Sequence, residues 1–141
     1  MKGPRILVVD DDQFVRDGLK LFLEREGYDV EAAADPWGAV RWIKRKPFDG
    51  LLIDMHLTPD MEHGFNGLDV IALLRVHQPE AKAILISASA DAGLTRLAKE
   101  RGAVARLEKP LDLASLTRLL RSLFPMDGPG APHSPALRPF V

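Results

Sequence analysis

Ile6-Leu7-Val8-Val9 runs directly into Asp10-Asp11-Asp12. The apolar residues read as a strand buried on both faces, so the chain leaves its own core through three consecutive carboxylates. At about 4 Å and an effective dielectric near 20, each such pair repels by ~4 kcal/mol. A cation is therefore expected beside them. Mg²⁺ fits best, being hard, oxygen-seeking and content with one or two carboxylates, waters and a phosphate. Asp12 accounts for itself as the N-cap of a following helix, which leaves Asp10 and Asp11 as the candidate ligands.

Three further groups of the same chemistry fall at the ends of later apolar runs: Asp54 after Gly50-Leu51-Leu52-Ile53, Ser87 after Ala83-Ile84-Leu85-Ile86, and Lys109-Pro110 after Val104 to Leu107. Asp54 can lend an oxygen to a metal and act as a nucleophile toward phosphorus. Lys109 and the metal would neutralise charge on a transferring phosphoryl group. Ser87 can hydrogen-bond a phosphoryl oxygen that exists only after transfer, which makes it a sensor.

These residues converge only if the strands lie side by side. Apolar β-rich runs alternate with segments of helical period, which predicts βαβ units around a parallel sheet. Five repeats are legible: strands Arg5–Val9, Asp29–Ala33, Gly50–Asp54, Ala83–Ser87 and Val104–Leu107, with helices over about 13–26, from Asp35-Pro36 to before Pro47, and over about 68–77, 92–101 and 112–124. Asp35-Pro36 is an N-cap followed by proline at the first helical position, and Gly27 is a left-handed helix stop. Val15, Leu19, Phe22 and Leu23 face the core from the first helix; Ala39, Val40 and Ile43 do so from the second. Leu113, Leu116, Leu120 and Leu123 are assigned to the core face of the fifth, and Leu119 to its outside. Trp37 and Trp42 share the second helix, and one of them is expected against the sheet edge. In a doubly wound sheet, ligands bind beyond the carboxyl ends of the strands, where the three aspartates, the serine and the lysine would share one rim.

Composition bounds the rest. The 141 residues suit one domain, 1–124, with a tail at 125–141 in which Pro125, Pro129, Pro132, Pro135 and Pro139 predict extended or disordered chain. A net charge of -1 gives no electrostatic case for nucleic acid or an anionic membrane. The absence of cysteine excludes disulfides, thiolate zinc sites and a cysteine nucleophile. No apolar run approaches a membrane span, and the one following Arg5 is too short for a signal-peptide core. A cytoplasmic location is the expectation.

With these residues in view, the chain resembles a response-regulator receiver domain of two-component signalling, over about Pro4 to Phe124. The resemblance implies a (βα)5 flavodoxin-like fold with strand order 2-1-3-4-5. It places Mg²⁺ on Asp10 and Asp11, the phosphoacceptor on Asp54, and a metal-binding carbonyl on Met55. Ser87, with Ala88 after it, matches the strand-four hydroxyl residue. Lys109-Pro110 matches the family's strand-five pair, which generally carries a cis bond. The implied partners are a histidine kinase or phosphotransfer protein and a downstream protein target.

Three departures accompany the match. The stretch His56 to Asn66 is longer than usual by roughly five residues, at a place where long loops are often functional. Arg106 stands where the family has an aromatic switch residue. No output domain follows Pro125, which implies a receiver standing alone. His56 and Ser89 occupy positions that influence phosphoryl lifetime in the family, whereas His63 with Asp60 and Glu62 lacks a rigid metal spacing and reads as solvated loop. Arg96, Lys99, Arg106, Arg118 and Arg121, together with Leu119, outline a basic partner surface on helix four, strand five and helix five.

Two functional classes follow. The first is a phosphorylation-dependent binding switch that catalyses only its own phosphorylation and dephosphorylation. The second is a Mg²⁺-dependent phosphohydrolase of the haloacid-dehalogenase kind, with Asp10 as nucleophile and Asp12 as its partner, although this leaves Asp54 without a role. A non-phosphorylated scaffold on the receiver fold is a third reading.

Overall fold

The structure, a computed structural model, describes residues 3–54, 64–88 and 92–126. Among the described residues ten elements alternate: β1 Arg5–Val9, α1 Gln13–Arg25, β2 Asp29–Ala33, α2 Pro36–Arg45, β3 Gly50–Asp54, α3 Gly67–His77, β4 Lys82–Ser87, α4 Ala92–Arg101, β5 Ala103–Glu108 and α5 Leu113–Leu123. The strands form one parallel sheet in the order β2-β1-β3-β4-β5, as expected.

Strand pleating divides the core in two, because successive side chains point to opposite faces. Leu7, Val9, Leu51, Ile53 and Leu85 meet Ala39, Ile43, Val70, Ile71, Leu74 and Ala98 on one side. On the other, Ile6, Val8, Leu52, Ile84 and Ile86 meet Leu19, Leu23, Leu116, Leu119 and Leu120. Helices α2, α3 and α4 thus cover one face, and α1 and α5 the other. A strand sandwiched in this way must be apolar at every position, which is why β1, β3 and β4 carry continuous aliphatic runs.

Local signals set the helix ends. Asp12 accepts from the amides of Phe14 and Val15, Asp35 from Gly38, and Asp112 from Ala114. The third helix begins one residue earlier than predicted, because Asn66 and Asp69 form a reciprocal capping box around it. Gly27 and Gly102, at φ 104° and 119°, turn the chain after α1 and α4 in a conformation open to glycine at little cost.

Helix α5 corrects the sequence reading at two positions. Leu113 is 47% exposed and Leu119 only 6%. The packed stripe is Leu116, Leu119, Leu120 and Leu123, an i, i+3, i+4, i+7 set. Leu113, at the first helical position, precedes the part of α5 that lies on the sheet. Leu119 therefore does not belong to a partner surface.

The edge strand β2 is covered by the second tryptophan, as anticipated for one of the pair. Trp42 donates from Nε1 to the Ala32 carbonyl at 3.1 Å, while Trp37 is largely exposed and stacks on Phe65 at 4.7 Å between centroids. At the opposite end of the sheet Gln78 spans two segments, donating to the carbonyls of Ile43 and Lys46 and accepting from the Phe48 amide. Among the described residues no helix is long and apolar enough to cross a membrane. Expectations for Met55, His56, Asp60, Glu62, His63, Ser89 and the 127–141 tail concern positions outside the described residues.

Candidate functional site

The sheet brings Asp10, Asp54 and Lys109 together at its carboxyl edge. Asp10 follows β1 and Asp54 ends β3, adjacent strands whose last paired residues are Val9 and Ile53. Both side chains are buried, at 2% and 1% exposure. Lys109, just past β5, reaches across β4 to form an ion pair with Asp54 Oδ2. Its own amide donates to the Ser87 carbonyl at 2.8 Å, and the Lys109-Pro110 bond is cis. Ser87 is buried at the end of β4, and Asp11 is exposed beside Asp10.

Electrostatics set this cluster apart from a packing arrangement. Burial pushes the Asp10 carboxyl above its ordinary pKa. The hydrogen bond from the Asp12 amide to Asp10 Oδ1, 2.9 Å, works against that shift. The negative charge of Asp54 raises it further, and Lys109 opposes. Two buried carboxylates thus compete for one ammonium, and a hard divalent cation is the group that would settle the imbalance. Among the described residues, no group of three or more acidic or imidazole side chains is placed to hold a metal ion. Mg²⁺ does not require one, since it keeps several waters and takes one or two carboxylates. The donor set therefore fits the ion inferred from the sequence.

Asp12 stays out of this cluster, its Oδ1 accepting from the first turn of α1 at 2.9 and 3.3 Å. One rim residue was not anticipated. Arg16 reaches back from α1 and donates from Nη1 to the Asp10 carbonyl at 2.8 Å. Arg106 pairs in register with Leu85, two positions below the Ser87–Glu108 pair, and its Nη2 lies 3.7 Å from Glu108 Oε1.

A five-stranded parallel α/β sheet carrying buried aspartates and a lysine on one rim defines the class of protein. Sequence comparison agrees: the response regulator receiver domain model matches residues 6–121, and the chain belongs to that family. The alginate biosynthesis transcriptional regulatory protein AlgB of Pseudomonas aeruginosa is 35% identical over 109 residues, covering 77% of this chain and 23% of that protein. A CheY-like receiver domain protein from Methanospirillum hungatei superposes with a TM-score of 0.77 at 31% identity, covering 85% of this chain and 92% of that one. A Burkholderia pseudomallei response regulator, crystallised with a phosphorylated aspartic acid, a calcium ion and citrate, gives a TM-score of 0.73 at 30% identity. That match covers 81% of this chain and 64% of its counterpart. The chain spans about a quarter of the length of the first curated relatives it matches.

Proposed function

We propose that this receiver domain is a phosphorylation-dependent switch whose acceptor is Asp54. The observation that carries the reading is the convergence of buried Asp10 and Asp54 on Lys109, with the Asp10 carboxyl raised by burial and by its neighbour. An Asp54 oxygen attacks phosphorus as the bond from phosphorus to a donor histidine nitrogen breaks, leaving an acyl phosphate and a free imidazole. Asp10, Asp11, Asp54 and the Met55 carbonyl would hold Mg²⁺, which when bound supplies positive charge to the phosphoryl oxygens. Lys109 neutralises further charge, and the Ser87 hydroxyl donates to a phosphoryl oxygen after transfer.

The donor is a histidine kinase or phosphotransfer protein. Beside the rim, α1 presents ground for it: Phe14 is 93% exposed, Leu21 52%, and Gly18 between them is open, an i, i+4, i+7 stripe. Output passes to a downstream protein through the face of α4, β5 and α5, where Arg96 and Arg118 are exposed and Leu97 adds an apolar patch. Phosphohydrolase chemistry would need Asp12 free to act with Asp10, and the cap on α1 engages it instead.

Incubation with acetyl phosphate and Mg²⁺ tests the assignment. Wild type gains one phosphoryl group and Asp54→Ala none; equal labelling of both removes Asp54 from the role.

A further inference from the structure

Arg16 occupies a position that helix electrostatics alone would not select. It lies four residues after the Asp12 cap, near the end of α1 where the helix dipole is positive and anions are favoured. The first turn of α1 carries no acidic residue to offset it. What the guanidinium engages is the main chain of the aspartate run, through the 2.8 Å bond from Nη1 to the Asp10 carbonyl.

Other hydrogen bonds fix the same turn. The Asp10 amide donates to the Ala33 carbonyl at 3.1 Å, the Asp12 amide to Asp10 Oδ1 at 2.9 Å, and Asp12 itself is committed to the helix. Arg16 adds the fastening on the carbonyl side of Asp10, where the chain leaves β1 for the exposed Asp11. With that carbonyl held, the peptide plane between Asp10 and Asp11 has little freedom to rotate, which fixes the backbone from which both carboxylates leave the turn.

We infer that Arg16 is a positioning residue for divalent-cation binding: it clamps the Asp10–Asp12 turn so that its two carboxylates are ordered before the cation arrives. Ordering the turn in advance removes that cost from the binding step. Arg16 touches neither the cation nor the phosphoryl group in this scheme. The inference rests on the proposed Mg²⁺ role of the rim and adds a residue outside the metal-ligand set.

Calorimetric titration of the full chain with MgCl₂ alone, without a phosphodonor, tests it. Arg16→Ala is expected to weaken Mg²⁺ binding about 10-fold, in the range found when groups behind metal ligands are removed. Arg16→Gln and Arg16→Lys, each keeping a donor, are expected to recover part of the loss. The rate of labelling by acetyl phosphate at saturating Mg²⁺ stays near that of wild type, because the clamp acts on binding. A purely structural role would lower the melting temperature and leave the Mg²⁺ affinity unchanged, and that result overturns the inference. Should the alanine variant fail to fold, the lysine variant decides: weakened binding supports the clamp and unchanged affinity overturns it. Failure of wild type itself to bind Mg²⁺ overturns the rim reading and the clamp together, whereas binding by wild type with unaltered variants overturns the clamp alone.

Discussion

Tyr28 places a hydroxyl in the core beneath α1 and α5 with no hydrogen-bond partner among the described residues. Burial pushes its pKa up to about 12; Arg121 pulls it down and Glu26 pushes it up by less. The unfolded phenol ionises near 10. Below pH 10 both states keep the proton and this group adds no pH dependence. Between pH 10 and about 12 the unfolded chain loses the proton first, so stability falls as pH rises. Tyr28→Phe should remove that part of the slope, as urea unfolding at pH 7, 10 and 11 would show. At pH 7 the variant should equal wild type or exceed it by about 1 kcal/mol, since an unpaired buried hydroxyl is lost. A loss of more than about 1 kcal/mol at pH 7 would show that the hydroxyl has a partner. At the same scale, Asp10, Asp54, Ser87 and Lys109 were legible because each ends an apolar run, where residue type and position coincide. Arg16 was not, because its work is done through a backbone carbonyl, and nothing in residue type announces a side chain that turns back over its own helix.

Among the elements, β3 begins at a glycine for a reason visible only in three dimensions. A Cβ at Gly50 would collide with the Phe124 ring, itself buried at the end of α5, and press on Ile6. Both neighbours are held in the core, so Gly50→Ala should cost about 1–3 kcal/mol by overpacking. Chemical denaturation would measure this, and an undiminished midpoint would mean that Phe124 can move aside freely. The order and type of elements were readable from alternating apolar and helical periods and from caps such as Asp35-Pro36. The phase of α5 was not. A leucine-rich helix offers more than one plausible stripe, and only the sheet beneath it selects Leu119 over Leu113. The start of α3 was missed by one residue because the Asn66–Asp69 capping box spans a glycine, a residue that reads as a break.

For the whole molecule, the proposed switch calls for separate surfaces for loading and output. Asp54, the proposed phosphoacceptor, is sunk at the carboxyl edge of the sheet, so a protein donor would have to settle on its surroundings, whereas a small phosphodonor need only diffuse in. The exposed Phe14 is part of those surroundings. Phe14→Ala should therefore slow phosphorylation by a protein donor about 10-fold or more, a loss within the range for an interface aromatic. Labelling by acetyl phosphate should be unaffected. Equal slowing with both donors would mean that Phe14 shapes the rim itself. Family membership and strand order followed from how the motifs are distributed along the chain, but the apolar stripe on α1 did not, because an exposed phenylalanine looks like any other aromatic until burial is known.

The proposed switch stands or falls on an acyl phosphate at one particular carboxyl group. Acetyl phosphate and Mg²⁺ followed by borohydride reduction converts such an aspartyl phosphate to homoserine, and peptide mass spectrometry then locates it. Homoserine at position 54, dependent on Mg²⁺ and absent after phosphodonor is withheld, is the predicted result. Homoserine at position 10 or 11 instead, or none at all on folded protein, would remove Asp54 as the acceptor.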